Sequence, residues 1–333
     1  MRAVSEIKAS MIGELEGSVL AAPQHAASAV GLAAAAIVVP VRNRGDQLRA
    51  CLERLVHCLD GGSPCELVVC DDGSGEDLGP VVEPFASGGR RVRLVRQPPR
   101  GPAAARNLGI RSSRSPIVVF VDSDVLPDAD MVPRLIAALQ EHDHWVGAEA
   151  RLEPVDGEDN PLWNAPVCRD GGRYHTAAIA YRRGVLEAVG GLDETFPYPA
   201  CEDVELAYRV LQLGEIGFVP EAVAHHPRRR CTFRSLWIAR RHWRIVALMA
   251  RRYGFVSWPE NQTRFPRLRT SVCAVVTLPL GRARRALRWF VRSPRVGALA
   301  LLHAAFSVVC GLAMLPDIWR AQRTVRKDYL RDR

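Results

Sequence analysis

The sequence predicts an α/β protein, a mostly parallel sheet flanked by helices, with a basic, apolar helical extension at its C-terminal end. Three observations carry that reading. From residue 34 onward, short apolar runs alternate with amphipathic stretches at helical spacing. Charged residues collect where several of the apolar runs stop. The balance of charge also reverses near residue 226: residues 1–226 carry 21 Lys and Arg against 32 Asp and Glu, whereas residues 227–333 carry 24 against 4, a net of +20.

Residues 1–33 hold Glu6, Glu14 and Glu16 where an export signal wants bases, so a flexible N-terminal extension is expected there. "AAAIVVPV" (34–41) is a continuous apolar run suited to a buried parallel strand. In "DQLRACLERLVHCLDGG", Leu48, Cys51, Leu52, Leu55, Val56 and Leu59 recur at helical spacing, and the glycines stop the helix. "CELVVC" is the second strand and ends in "DDGSG". A helix near 76–86, a strand "RVRLVR" and a helix opening at "GPAAARNLGI" follow, with Pro102 placed for a first helical turn. "IVVFV" runs straight into "DSD", and "DADMVPRLIAALQEH" returns as a helix. This βαβ alternation gives a sheet covered on both faces, with ligands at the carboxyl ends of its strands. From 145 to 226 the pattern is less regular, with "HWVGAEARLEP", a loop at Gly171 and Gly172, a helix "CEDVELAYRVLQLG" and a strand "IGFVP". Three parts are expected: the extension 1–33, an α/β domain 34–226 and a basic helical region 227–333.

Asp122 and Asp124 end an apolar strand as paired hard oxygen donors. Their repulsion, ~1–4 kcal/mol at 4 Å depending on the local dielectric, calls for a divalent cation or a raised pKa. Mn²⁺ or Mg²⁺ fits such oxygens, although an aspartate-rich surface turn has the same composition. Asp71 and Asp72 form either an Asx-type turn or an acceptor for a nucleobase or ribose. Arg106, in the first turns of its helix beside free N–H groups, is either a solvated surface arginine or part of an anion site suited to a diphosphate. Glu202 and Asp203 open another helix, either as ordinary dipole partners or as ionised acids able to take a proton. One of His225 and His226, after a strand, would complete a metal shell. The nine cysteines contain no CxxC pair and read as buried free thiols.

Taken together and in order, "IVVPVRNR", "DDGS", "GPAAARNLG", "FVDSDV", "VGGLDE", "CEDVELAYRV" and "AVAHHPRRR" resemble the glycosyltransferase family 2 group, which has the GT-A fold. "PVRNR", "GPAAARN" and "DSDV" look like the mycofactocin-system glycosyltransferases within it. The resemblance implies a nucleotide-diphosphate sugar donor and an acceptor hydroxyl. It implies that Pro40, Val41, Arg42 and Asp71 hold base and ribose, and that Arg106 and Asp122 contact the nucleotide. Asp124 and Asp122 would bind Mn²⁺ or Mg²⁺, with His225 as a third ligand. Asp203 would be the catalytic base, with Glu202 its catalytic neighbour, in an inverting, metal-dependent transfer. Where processive relatives carry a QxxRW-like motif, "ARRHW" (239–243) lacks the Gln and the Arg, which implies single-sugar transfer. A sugar-nucleotide-forming nucleotidyltransferase shares fold and metal but would show a glycine-rich signature near the first strand. An inactive nucleotide-binding scaffold would not keep both acid pairs.

In the basic region, "RARRALRWFVRSPR" sets Arg284, Arg288 and Arg292 at i, i+4 spacing among Leu287, Trp289, Phe290 and Val291, as an interfacial helix requires. "VGALALLHAAFSVVCGLAMLP" (296–316) has 21 residues without a formal charge, just enough to span a bilayer. The expectation is attachment to an anionic membrane surface at the cytoplasmic face, peripheral or through one C-terminal segment. Long apolar stretches between the arginines and the lack of a recognised motif speak against nucleic acid as the partner.

Overall fold

The computed structural model describes residues 34–60, 65–155, 160–196, 201–253 and 271–323. The extension expected over 1–33 lies outside them. The body runs β1 (Ala35–Val41), α1 (Gly45–Asp60), β2 (Cys65–Asp71), a single turn α2 (Gly79–Val82), β3 (Arg91–Arg96), α3 (Pro102–Arg111), β4 (Ile117–Val121), β5 (Leu126–Pro127), α4 (Met131–Glu141), β6 (Trp145–Pro154), β7 (Trp163–Asn164), β8 (Ala178–Arg182), α5 (Arg183–Ala188), α6 (Glu202–Val210), β9 (Glu215–His226) and β10 (Arg229–Arg230).

Eight strands form one sheet in the order β3-β2-β1-β4-β8-β6-β9-β5. β3, β2, β1 and β4 are parallel neighbours, as the alternation predicts. β8 then runs antiparallel to both β4 and β6, β9 is parallel to β6, and β5 closes the order antiparallel to β9. The central strand β4 is buried throughout, whereas edge strand β3 turns Arg91, Arg93 and Arg96 outward, which blunts an exposed edge. Alternate residues feed the two core layers: Ile37, Val39 and Val119 pack with Leu48, Leu52 and Leu135 on one face. Val38, Val68 and Phe120 pack with Ile110, Leu186 and Leu206 on the other. Helix α3 sits very close to the sheet, because a Cβ at Gly109 would lie 2.3 Å from Val38 Cγ1 and 3.0 Å from Cys70 Sγ.

Two elements differ from expectation. The helix near 76–86 is reduced to α2 and a 3₁₀ turn (Glu83–Ala86), because Pro80 and Pro84 each start a new turn and supply no N–H to continue the last. β9 continues past Pro220 to His226 because of an irregularity: Ala150 pairs with Val219 but Arg151 with Val223, so Pro220 stands outside the ladder.

Beyond the body come α7 (Phe233–Ala239), opened by a Thr232–Ser235 capping box, and α8 (His242–Tyr253). A π-helical turn (Cys273–Thr277) leads into α9 (Leu278–Arg292) and then α10 (Pro294–Arg323), which packs along α9 and against α8 and α7. Gly311 allows α10 its close approach, since a Cβ there would meet the Ala274 carbonyl oxygen at 2.5 Å. Within Pro294–Arg320 an 18-residue window reaches mean hydropathy 2.2, so this helix is, by length and composition only, able to cross a membrane. β10 lies past the expected boundary at 226 yet pairs antiparallel with β7, so the basic region is stitched to the body. None of the eight cysteines whose side chains are described forms a disulfide, and five of them are buried.

Candidate functional site

The carboxyl ends of β1, β2 and β4 lie along one edge of the sheet. The β1 and β2 tips are bound to each other: the Asp72 N–H donates to the Val41 carbonyl (2.9 Å), the Asn43 N–H to Ser74 Oγ (2.9 Å) and the Gly75 N–H to Asn43 Oδ1 (2.7 Å). Val41 is buried, Pro40 half-buried and Arg42 exposed on this rim. Asp71 is 1% exposed; its Oδ1 accepts from the Ser74 N–H (2.8 Å) and its Oδ2 lies 3.4 Å from Arg96 Nε, so the turn geometry is present. Asp72 accepts from the N–H groups of Arg100 and Gly101 and from Gln97 Nε2, each at 2.8 Å. The anion at the entrance of α3 is therefore the carboxylate of Asp72.

Asp122, Asp124 and His226 bring one ligand atom each within 4.8 Å of one another, a spacing that suits a metal ion. His226 Nε2 lies 3.6 Å from Asp124 Oδ1, while its Nδ1 lies 2.8 Å from the Pro227 carbonyl oxygen. A carbonyl only accepts, so Nδ1 carries a proton there, and Nε2 is the ring atom turned toward the aspartates. His225, the histidine expected as third ligand, instead faces Asp128 at 3.3 Å. Neighbouring residues of a strand point to opposite faces, and the register places His226 inward. Asp124 is also the focus of two arginines, Arg44 at 2.8 Å and Arg229 in direct contact. Burial alone would raise the Asp124 carboxyl, but His226, Arg229 and Arg44 together hold it below its ordinary value.

Arg106 does not face solvent at the start of α3. It is 4% exposed, with Nη2 2.6 Å from Asp122 Oδ1 and Nη1 3.3 Å from Glu202 Oε1. Burial opposes its charge, yet Asp122 and Glu202 hold the guanidinium above its ordinary value. The expectation of a phosphate-binding arginine thus meets a buried clamp between two carboxylates, one on a strand tip and one on α6. Glu202 itself is pushed up by burial and by Asp203, against the pull of Arg106. The residue before it, Cys201, holds a left-handed backbone at φ 63°, a strained conformation for a side chain other than glycine, at the mouth of α6.

Asp203 is more open. Its Oδ1 accepts from the Val204 N–H (2.8 Å), and its Oδ2 lies 3.5 Å from His175 Nδ1. Burial would lower His175, but Asp203 raises it above its ordinary value. The loop that leads to His175 is held by Glu149, 2% exposed on β6, whose carboxylate accepts from the N–H groups of Gly172 (2.7 Å), Arg173 (3.1 Å) and Tyr174. Burial nevertheless raises the Glu149 carboxyl.

The structure therefore gathers Asp122, Asp124, Glu202, Asp203 and Arg106 on one edge and sets Pro40, Val41, Arg42 and Asp71 on the adjoining rim. Sequence reasoning left Arg44, Glu149, His175 and Arg229 unassigned. Arg44 and Arg229 stand inside the stretches "VRNR" and "HHPRRR", but nothing local shows that residues 80 and 105 positions from Asp124 close on it.

Residues 36–184 match the family model described as Glycosyl transferase family 2. The chain is 31% identical over 223 residues to the pre-mycofactocin glycosyltransferase of Mycobacterium tuberculosis, covering 62% of this chain and 44% of that protein. It is 24% identical over 228 residues to the probable glycosyltransferase YdaM of Bacillus subtilis, covering 62% and 53%. The chain thus spans about half the length of the curated relatives it matches. Among solved structures it is similar to the mannosyltransferase PcManGT from Pyrobaculum calidifontis in complex with GDP-Man and Mn²⁺, with TM-score 0.58 and 16% identity over 95% of this chain and 99% of that one. It is also similar to S. aureus TarS residues 1–349 in complex with UDP-GlcNAc, with TM-score 0.53 and 16% identity over 88% and 93%. These likenesses show the GT-A fold.

Proposed function

We propose, from the premise that residues 36–184 form a glycosyl transferase family 2 domain, that the protein moves one sugar from a nucleotide-diphosphate donor to an acceptor hydroxyl, with inversion at the anomeric carbon. The observation that carries the reading is the convergence at one sheet edge of Asp122, Asp124 and His226 with the Asp203–His175 pair, the two groups being tied through Arg106 and Glu202. The two solved relatives bind GDP-Man and UDP-GlcNAc, which supports a sugar nucleotide here.

Asp122, Asp124 and His226 would hold a divalent ion, and a donor set of two carboxylates and one imidazole suits Mn²⁺ better than Mg²⁺. When bound, such an ion supplies positive charge beside a departing diphosphate. Arg44 and Arg229 keep Asp124 ionised for that task. Base and ribose lie on the rim of Pro40, Val41, Arg42 and Asp71. Asp203, the partly exposed acid of its pair, takes the proton of the acceptor hydroxyl as the new bond forms, and His175 orients its carboxylate. Arg106 and Glu202 act as positioning residues that lock α6 to the β4 tip. Transfer stops at one sugar, in keeping with the incomplete motif at 239–243.

The same reading sets the C-terminal helices on an anionic membrane surface at the cytoplasmic face. Arg284, Arg288 and Arg292 are exposed along α9 beside Leu280, Leu287 and Val291, which are 47%, 56% and 89% exposed.

Asp203→Asn is the decisive test: turnover of the sugar nucleotide should fall ~10²–10⁴-fold with donor affinity nearly unchanged. Wild-type turnover in that variant would remove Asp203 from the role of base.

A further inference from the structure

Asp124 has more positive partners than one carboxylate needs. Its side chain is 3% exposed, and a single oxygen, Oδ2, accepts from both Arg44 Nη1 (2.8 Å) and Arg229 Nη2, while Oδ1 faces His226 Nε2 at 3.6 Å. A carboxylate oxygen offers about two lone pairs, so two guanidiniums fill Oδ2. Arg106, another arginine of the site, has a side chain only 5% exposed and is fixed between Asp122 and Glu202. Arg44 and Arg229 are of a different kind. Their side chains are 42% and 59% exposed, and Asp124 is the one carboxylate that either contacts among the described residues.

The backbone beneath these two side chains is held, although the side chains themselves reach out through solvent. Asn43, just before Arg44, holds φ 51°, with its N–H donating to Ser74 Oγ at 2.9 Å and its Oδ1 accepting from the Gly75 N–H at 2.7 Å. Arg229 belongs to β10, which is paired with β7. Each arginine can therefore leave Asp124 by rotation of its side chain alone. An ion at Asp122, Asp124 and His226 would share Asp124 with two positive charges already bound to it, and like charges at that range repel. To leave, the arginines need another anion, and a diphosphate offers paired oxygens that match a guanidinium fork. Arg44 lies two residues past Arg42, on the rim assigned to base and ribose, and its guanidinium ends at the acid assigned to the ion.

We propose that Arg44 and Arg229 are exchangeable partners of Asp124: without a nucleotide they occupy it in place of an ion, and a nucleotide's diphosphate becomes their new ligand and frees the acid for the metal. The inference rests on the reading of the protein as a sugar-nucleotide-dependent transferase. Ion and diphosphate binding then depend on each other, each raising the affinity of the other by the same factor. Two exposed arginines thus keep an ion from being held firmly by protein that lacks a donor. Arg106 takes no part in the exchange, because its two carboxylate partners keep it in place.

The test measures affinities rather than turnover. Mn²⁺ binding to the full chain is read from the electron paramagnetic resonance of the free ion, alone and with UDP, GDP, ADP or dTDP, probes that differ in base and share the diphosphate. Wild-type protein should bind Mn²⁺ weakly alone and about tenfold or more tighter with at least one of these nucleotides, a coupling of about 1.4 kcal/mol. Arg44→Gln with Arg229→Gln should move the two affinities in opposite directions. Mn²⁺ alone should bind roughly threefold tighter or more, and the nucleotide in the presence of Mn²⁺ about tenfold weaker or more. A site merely damaged by the substitutions would lose both. Arg44→Lys with Arg229→Lys keeps the charges and should keep the weak binding of Mn²⁺ alone. Mn²⁺ affinity that is unchanged or lowered in the Gln variant overturns the proposal. Unchanged nucleotide affinity in that variant also overturns it and leaves the transferase reading standing, whereas wild-type protein that binds none of the nucleotides would sink both.

Discussion

In the α/β body the acidic side chains at the strand tips and at the start of α6 are matched from within: Asp71 by Arg96, Asp122 by Arg106, Asp124 by Arg44, Arg229 and His226, and Asp203 by His175. In residues 227–333 complete matching is out of reach, because 24 Lys and Arg share 4 Asp and Glu, and Arg284, Arg288 and Arg292 stand exposed on α9. The difference separates two uses of charge. Buried pairs hold side chains in a fixed geometry whose worth appears only when a ligand replaces one partner. An unbalanced surface produces a field that acts on an external anion and weakens with salt.

The largest effect should follow from breaking the matched half. Arg106→Met removes the one guanidinium between Asp122 and Glu202 and leaves the buried Glu202 uncompensated. Loss of one partner of a buried pair costs about 3–5 kcal/mol. Chemical denaturation should show a drop of that size, and an unchanged midpoint would mean that the clamp between β4 and α6 does not hold the site.

Acid titration addresses the same clamp. Burial, with Asp203 beside it and against the pull of Arg106, raises Glu202 from 4.5 to about 7 in the folded protein. A carboxyl raised on folding binds its proton more tightly in the folded state. Its contribution to stability is therefore complete below the ordinary value of about 4.5 and is lost as pH rises through about 7. In chelator-treated protein, Tm should fall across that window, and Glu202→Gln should flatten the fall. Parallel curves for the two proteins would assign the dependence elsewhere.

Glycine substitutions compare the packing of the two regions. Gly109→Ala would drive a methyl into Val38 Cγ1 at 2.3 Å, beneath the helix that carries Arg106. Overpacking of this kind costs about 1–3 kcal/mol and should lower the main unfolding transition. Gly311→Ala meets the Ala274 carbonyl oxygen at 2.5 Å in the C-terminal bundle. It should loosen α10 and leave the transition of the body in place. A shared shift in both variants would show that the two regions unfold as one unit.

Much of this arrangement was legible in the residues. "IVVFV" followed by "DSD" and "CELVVC" followed by "DDGS" mark strand tips, because an apolar run cannot continue through paired acids; the structure places them side by side through parallel pairing of β1 with β2 and β4. What was not legible depended on distant register or partners. The choice between His225 and His226 rests on the face that β9 presents after the shift at Val219 and Val223, and no local pattern fixes that parity. Arg106 looked free because its partners stand 16 and 96 residues away. The entrance of α3 looked open to phosphate because the "DDGS" turn and the Arg100–Gly101 backbone, 28 and 29 residues apart, meet only once β2 and α3 are packed.

The smallest expected effect tests the unmatched half. Arg288 is exposed on α9, far from the matched acids in its chemistry, and each arginine near an anionic leaflet contributes about 1 kcal/mol to binding. Arg288→Gln should therefore weaken co-sedimentation with phosphatidylserine-containing vesicles about fivefold at low salt, with the loss shrinking as ionic strength rises. Donor turnover in detergent should be unchanged, because Arg288 touches none of the strand-tip residues. If binding to neutral phosphatidylcholine vesicles were as tight as to anionic ones, the exposed arginines would not be what seeks the surface. The apolar row of Leu280, Leu287 and Val291 would then account for the attachment by burial alone.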